Sequence, residues 1–384
     1  MDKTLTLEQK RDLLTRQMEA YRALPEYILD GIGALFQRVL TPGTRSRVTF
    51  LPVNASEQEN DGFPSYWLNG LAIAFFTFLA GWLVAFFTGT RLAPEELQLA
   101  LWSVLTGALA LIVNKINIRA FLDTFRTSCI DKLLRSSDVD NLEGWLSDNF
   151  QWWRPLLAGL VFGPLLAWFL YQIWRTNHAD YPFHAGPFLT VLLSCIQAVW
   201  VAYYLYPFYV AFPSRLNRYH FDLYEPDPSS SEVIGQLSRL LTFIMYATMA
   251  FIVWLTLGLA YINVLTPDSP TPGLIFSIFV WAPTVMLYAA GQFHLSNVIT
   301  RAKWKMLNEI QTKVEELYQE QKIPDASTLD RLGKLMDYHD RIKDTPNSAL
   351  NFRAGLNFLN SLLLPILAFV AANLKDVITL LRAQ

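Results

Sequence analysis

The sequence predicts an all-α, polytopic membrane protein with six transmembrane helices, a seventh C-terminal membrane segment and cytoplasmic helical extensions. Three observations carry that prediction. Charge is scarce: 17% of the 384 residues are charged, against about 25% in ordinary soluble domains. Seven stretches of 18 residues or more hold no Asp, Glu, Lys or Arg at all: 62–90, 97–114, 155–174, 181–214, 240–267, 269–300 and 354–374. With the N-terminus placed in the cytoplasm, 27 of the 31 Lys and Arg residues fall on the inner side, the bias that orients multi-pass proteins.

The same composition excludes several classes. With 52% hydrophobic and 14% aromatic residues, the chain collapses or inserts rather than staying disordered. Cys129 and Cys195, the only cysteines, cannot build a disulfide framework and are expected to be reduced. A formal net charge of -2 argues against a uniformly basic nucleic-acid binder. No cleavable signal peptide is expected, because Asp2 and Glu8 stand where a basic n-region belongs.

Residues 1–62 read as amphipathic helices followed by a loop. Thr6-Leu7-Glu8-Gln9 fits a capping box, in which the Thr and Gln side chains satisfy orphan backbone donors. Leu14, Met18 and Tyr21 then share a face. Pro25 suits the first position of a second helix carrying Ile28, Ile32, Leu35 and Val39, which Thr41-Pro42-Gly43 ends. Such stripes predict docking on the membrane domain or a neighbouring subunit, either as interfacial helices or as a moving lid.

Residues 63–294 form the membrane domain, with spans near 66–88, 97–114, 155–174, 187–212, 240–264 and 273–293. Crossing a hydrocarbon core of about 30 Å takes about 20 apolar residues, and a spanning segment must satisfy its backbone internally, hence as a helix. Trp67, Trp102, Trp152, Trp153 and Trp174 lie near the expected ends, where aromatic rings favour the headgroup zone. The inner loop 115–154 continues the second span, with Ile118, Phe121, Leu122, Phe125 and Ile130 on one side.

Residues 295–350 predict a helical hairpin. Ile299, Met306, Ile310, Val314 and Leu317 repeat at helical spacing, so the first arm extends directly from span six. Ile323-Pro324-Asp325 breaks it, and Ser327-Thr328-Leu329-Asp330 suits the cap of a second arm carrying Leu332, Leu335, Tyr338 and Ile342. The hairpin suits subunit packing more readily than signal transmission. The last unit, 351–384, holds the run 354–374, which crosses, re-enters or packs against other helices. A full or nearly full crossing is preferred.

Catalytic motifs are missing: there is no P-loop, His-Glu-x2-His, Gly-x-Ser-x-Gly or calcium loop. Neither an enzyme, a cofactor nor a metal site is expected. His178 and His184, six residues apart with no nearby Cys, read as solvated histidines. No carboxylate or amine falls at mid-depth in the runs, which disfavours ion-coupled carriers.

A pore needs only small or polar groups. The C-terminal run offers Asn357, Asn360, Ser361, Leu364 and Ala368 on a helical stripe, although small residues and Asn equally suit close helix packing. Arg119, Arg126, Lys132, Arg135, Arg215 and Arg218 offer a second candidate site, near Trp152, Trp153, Tyr219 and His220. Cations beside aromatics suit a nucleotide or oligonucleotide; anionic lipid and orientation explain any one of them as well.

In this layout, with amphipathic residues 7–40 ahead of the spans and a basic, aromatic inner face, the chain resembles the pore-forming membrane effectors of bacterial anti-phage defence systems, of the Hailong-system channel type. The resemblance implies a homo-oligomeric, nucleotide-gated channel in the bacterial inner membrane, with an N-terminal lid and growth arrest by depolarisation. It carries over no individual residue. The alternatives are a non-conducting scaffold or sensor recruiting a cytoplasmic protein partner, and then a carrier of a neutral or lipid-like substrate.

Overall fold

The computed structural model describes residues 5–40, 64–177, 183–261, 270–320 and 326–347. Eleven α-helices account for most of them, and no strand occurs among the described residues. Among the described residues, five apolar stretches are long enough to cross a membrane: Trp67–Phe87, Pro94–Lys132, Trp153–Arg175, Ala185–Leu216 and Glu232–Gly258. These correspond to the first five expected spans. The sixth lies in a single helix, Pro270–Glu320, which runs without a break from the apolar run into the predicted hairpin. The run 354–374 lies outside the described residues, and with it the question of a seventh crossing.

The chain begins with α1 (Leu7–Ala20), and the capping box forms as its sequence requires. Thr6 Oγ1 accepts from the Gln9 N–H at 3.4 Å, and the Thr6 N–H donates to Gln9 Oε1 at 3.0 Å. The second helix, α2 (Leu24–Leu40), starts one residue earlier than its proline suggested. Pro25 still sits in the first turn, where a missing N–H costs nothing, and the Ala23 N–H is met instead by Glu26 Oε2 at 3.0 Å.

The bundle consists of α3 (Pro64–Phe87), α4 (Pro94–Thr124), α6 (Trp153–Asn177), α7 (Ala185–Leu205) and α9 (Glu232–Tyr261). Helix α7 packs on α3, α4 and α6, while α9 covers another side of α4. Helix α4 is therefore central, and α3 and α6 are peripheral. Leu68, Leu71, Phe75, Phe86 and Phe87 on α3, with Leu160, Phe162, Leu165 and Phe169 on α6, are exposed. An apolar surface of that extent needs lipid or a neighbouring chain to cover it.

Two of the tryptophans near the expected span ends pack between helices. Trp174 is buried against Tyr171, with ring centroids 5.8 Å apart, and Trp102 packs over Gly258. Both rings fill gaps between helices.

Beyond the bundle, α4 passes through a π-turn at Phe125–Cys129 and a 3-10 turn at Ile130–Lys132 into α5 (Ser136–Asn149). Helix α7 likewise passes through a π-turn at Tyr206–Ala211 into α8 (Phe212–Leu216). The largest core lies at this end of the bundle. Phe121, with centroids 4.7 Å from Phe125, 4.7 Å from Phe208 and 4.8 Å from Phe212, sits at its centre beside Trp145. Ile118, Leu122 and Ile130 line the same core as the sequence pattern predicts, and Leu14 and Met18 of α1 close it.

The helix Pro270–Glu320, α10, folds back onto α11 (Ala326–Asp344). Leu307, Ile310 and Ile342 form the seam, with Met306, Val314, Leu335 and Tyr338 around it. Helix α11 already begins at Ala326, so Ser327 lies within its first turn rather than at its cap.

Close backbone approach sets the α3–α7 crossing. A Cβ on Gly186 would stand 2.6 Å from the Gly81 carbonyl oxygen, and one on Gly81 would stand 2.8 Å from that of Gly186. Gly81→Leu or Gly186→Leu is therefore expected to cost about 1–3 kcal/mol, read as a lower apparent Tm of the purified protein. Gly235→Ala, which meets open space, should leave Tm unchanged or raise it.

Candidate functional site

Helix α4 carries Lys115 and Arg119 one turn apart, on the face that leaves the apolar bundle. A buried cation needs a partner, since an uncompensated one is costly to keep from water. Helix α2 supplies Glu26 and Asp30 at the same four-residue spacing, in antiparallel register. Glu26 Oε1 lies 2.5 Å from Arg119 Nε, and Asp30 Oδ1 lies 2.8 Å from Lys115 Nζ. Arg22 Nη1 adds a contact to Asp30 at 3.2 Å.

The ladder continues along α1. Arg126 Nη1 meets Glu19 Oε1 at 2.8 Å, and Lys10 Nζ meets Asp140 Oδ2 at 2.6 Å on α5. Glu26 is fully buried. Its burial raises the carboxyl above its ordinary value near 4.5, while Arg119 and then Lys115 pull the other way. Tyr204 OH reaches the start of the same helix, accepting from the Leu24 N–H at 3.0 Å.

The six cations singled out from sequence thus divide. Arg119 and Arg126 hold carboxylates of the N-terminal arm. Lys132, Arg135, Arg215 and Arg218 make no ion pair among the described residues. Arg135 and Arg218 are exposed, and Lys132 and Arg215 half-buried.

Lys132 borders an open groove of about 470 Å³ shared with Asp222, Glu225 and Glu232, where carboxylates outnumber the cation. Arg215 and Arg218 lie near Tyr219, whose buried hydroxyl lacks a partner among the described residues. Burial pushes that phenol up to about 12, Arg215 opposing it. His220 is turned to Asp138, which accepts from its N–H at 2.9 Å and lies 3.1 Å from its Nδ1. Trp152 and Trp153 are exposed, with the Arg154 guanidinium 5.5 Å from the Trp153 ring centre.

Asn357, Asn360, Ser361, Leu364 and Ala368, the expected pore stripe, all lie outside the described residues. Among the described residues no cluster of His, Cys, Asp and Glu could hold a metal ion.

Three residues take part in contacts that the sequence pattern does not assign. Glu26 and Asp30 had a usable signal, a pair of acids one turn apart on an otherwise apolar helix. The third is His184, expected in solvent. Its Nδ1 lies 2.7 Å from Oε1 of fully buried Glu96, at the far end of α4. Glu96 also accepts from the Ala93 N–H at 3.1 Å, so the first turn of α4 and the start of α7 are tied together. His178 lies outside the described residues.

Two predictions follow from the ladder. Arg119→Ala leaves Glu26 buried without its guanidinium, a loss of about 3 kcal/mol, so amide exchange over residues 24–32 should speed up by about a hundredfold. Unchanged exchange there would mean the pair does not hold the arm. The pH dependence has a definite sign. A carboxyl raised in the docked state binds protons more readily there than when free, so its contribution grows as pH falls towards 4.5 and fades as pH rises through the raised value. Exchange over 24–32, corrected for intrinsic rates, should show this component in the native protein and lose it in Glu26→Gln.

No family model, no curated protein and no solved structure matches the chain.

Proposed function

We propose that the chain forms a homo-oligomeric pore in a bacterial inner membrane, gated from its cytoplasmic side. One observation supports the gating most directly. Helix α10 joins the sixth apolar run to the hairpin without a break, and it also grips the chain just before the seventh run. Lys303 Nζ, buried, donates to the carbonyls of Lys343 at 2.6 Å and Thr345 at 2.7 Å, and to Asn347 Oδ1 at 3.0 Å. Ser296 Oγ donates to the Asn347 carbonyl at 2.6 Å. The run 354–374 begins seven residues later. A displacement of the hairpin therefore acts on two membrane segments at once.

The N-terminal arm is the second gating element. Its carboxylates occupy Lys115, Arg119 and Arg126, so a nucleotide or oligonucleotide arriving at this face competes with Glu26, Asp30 and Glu19 for the same cations. Arg135 and Arg218, exposed and without ion pairs among the described residues, provide the first contact. Control by a nucleotide signal in anti-phage defence is the biological form of this reading.

A scaffold reading also has a specific support. Trp304, Tyr318, Leu329 and Met336 are exposed on the hairpin, as a surface recruiting a protein partner would be.

Planar-bilayer recording separates the two. The pore reading expects unitary currents from the intact protein, from a truncation lacking residues 1–40, or on adding nucleotide. Lys303→Met should shift open probability about tenfold, equivalent to about 1.4 kcal/mol, and Asn360→Leu should lower unitary conductance. Silence under all these conditions would leave the scaffold.

A further inference from the structure

A partly open pocket of about 120 Å³ lies between α4, α7 and α9, with exposed Ala202 at its rim. Each helix contributes one face: Ala110, Asn114 and Asn117 from α4, Ala198 and Ala202 from α7, and Thr248 from α9. The space exists because three alanines stand where larger side chains would close the gap. Its wall is apolar apart from Thr248, whose hydroxyl donates to the Ile244 carbonyl at 2.9 Å, and the two asparagines. Asn114 is 3% exposed and Asn117 7%. Asn114 Nδ2 and Asn117 Oδ1 have no hydrogen-bond partner among the described residues.

Buried amide atoms normally find partners. Here one donor and one acceptor, three residues apart on one helix face, border the same apolar space. An ion is a poor match, because no charged side chain lines the cavity. A pure hydrocarbon leaves both amides unsatisfied. A lone water suits the adjoining space of about 10 Å³ lined by Asn114, Asn117 and Tyr204 but leaves the larger apolar volume empty, and buried water usually makes about three hydrogen bonds. A hydroxyl on a small apolar body meets every requirement: its oxygen accepts from Asn114, its hydrogen goes to Asn117, and its body fills the space. Interchanging oxygen and nitrogen on both amides leaves one donor and one acceptor, so the chemistry is unchanged.

We propose that this cavity is a binding site for a neutral, short-chain or single-ring alcohol, held by Asn114 and Asn117. The site stands apart from the conduction reading, because its readout is occupancy rather than current. The test is photolabelling of the full chain in lipid nanodiscs with a short alkanol bearing a diazirine. Adducts are expected on peptides covering 110–117, 198–205 and 248–251, and excess 1-pentanol should suppress them more strongly than pentane at equal thermodynamic activity. Asn114→Leu and Asn117→Leu should each lower labelling about fivefold, the equivalent of one net hydrogen bond, and Ala198→Leu, which fills the space, should abolish it.

The competition experiment uses unmodified protein, so it decides the matter even if a variant fails to fold. Equal suppression by pentane, labelling confined to the exposed faces of α3 and α6, or no labelling at all would overturn the proposal; the last leaves water as the occupant.

Discussion

Two cations on α4 cannot be left alone. Lys115 and Arg119 project from the end of the most central helix, Lys115 buried and Arg119 partly exposed beside fully buried Glu26. Their carboxylate partners must come from elsewhere in the chain, and α2 brings them at matching spacing. That requirement fixes where α2 lies, and α2 in turn carries α1 onto the aromatic core around Phe121. The apolar stripe of α1 adds non-directional burial, while the ion pairs set register. Breaking a buried pair costs more than its formation returns, so the ladder specifies position more than it adds stability.

The same economy of partners recurs at other junctions. Glu96 takes His184 and the Ala93 N–H at the far end of α4. Lys303 takes two carbonyls and an amide oxygen from the chain leaving α11. Asp138 takes the backbone and ring of His220. Each joins segments distant in sequence, and each lies near an end of the bundle. Inside the bundle, neutral groups take over: Gln197 Nε2 donates to Thr77 Oγ1 at 3.2 Å, and Trp254 Nε1 to Thr106 Oγ1 at 3.1 Å. In an apolar surrounding such bonds hold helices together without a charge to desolvate.

The π-turns at Phe125–Cys129 and Tyr206–Ala211 interrupt α4 and α7, and Phe125 meets Phe212 with centroids 4.9 Å apart. Phe208 within the α7 turn and Phe212 just after it meet Trp145 with centroids 5.7 and 5.4 Å away, opposite Phe121 of α4 at 5.9 Å. The periodicity of Phe121 and Phe125 announces a buried face, but not this change of helical pitch.

Read alone, the sequence determined the helical class, the first five apolar stretches, the capping box at Thr6, the apolar face of α4 and the helix continuing from the sixth run. These follow from local rules: periodic burial, backbone satisfaction and end capping act over a few residues and leave their pattern in the order of the chain. Tertiary structure alone decided that Arg119 and Arg126 face Glu26 and Glu19, that His184 is turned to Glu96, that Trp174 is buried, and that Asn114 and Asn117 share a cavity. The separations are 93 residues for Glu26 and Arg119 and 88 for Glu96 and His184. Pairing at such range depends on how whole helices pack, and a cation reads the same in sequence whether its partner is lipid, a ligand or a distant carboxylate.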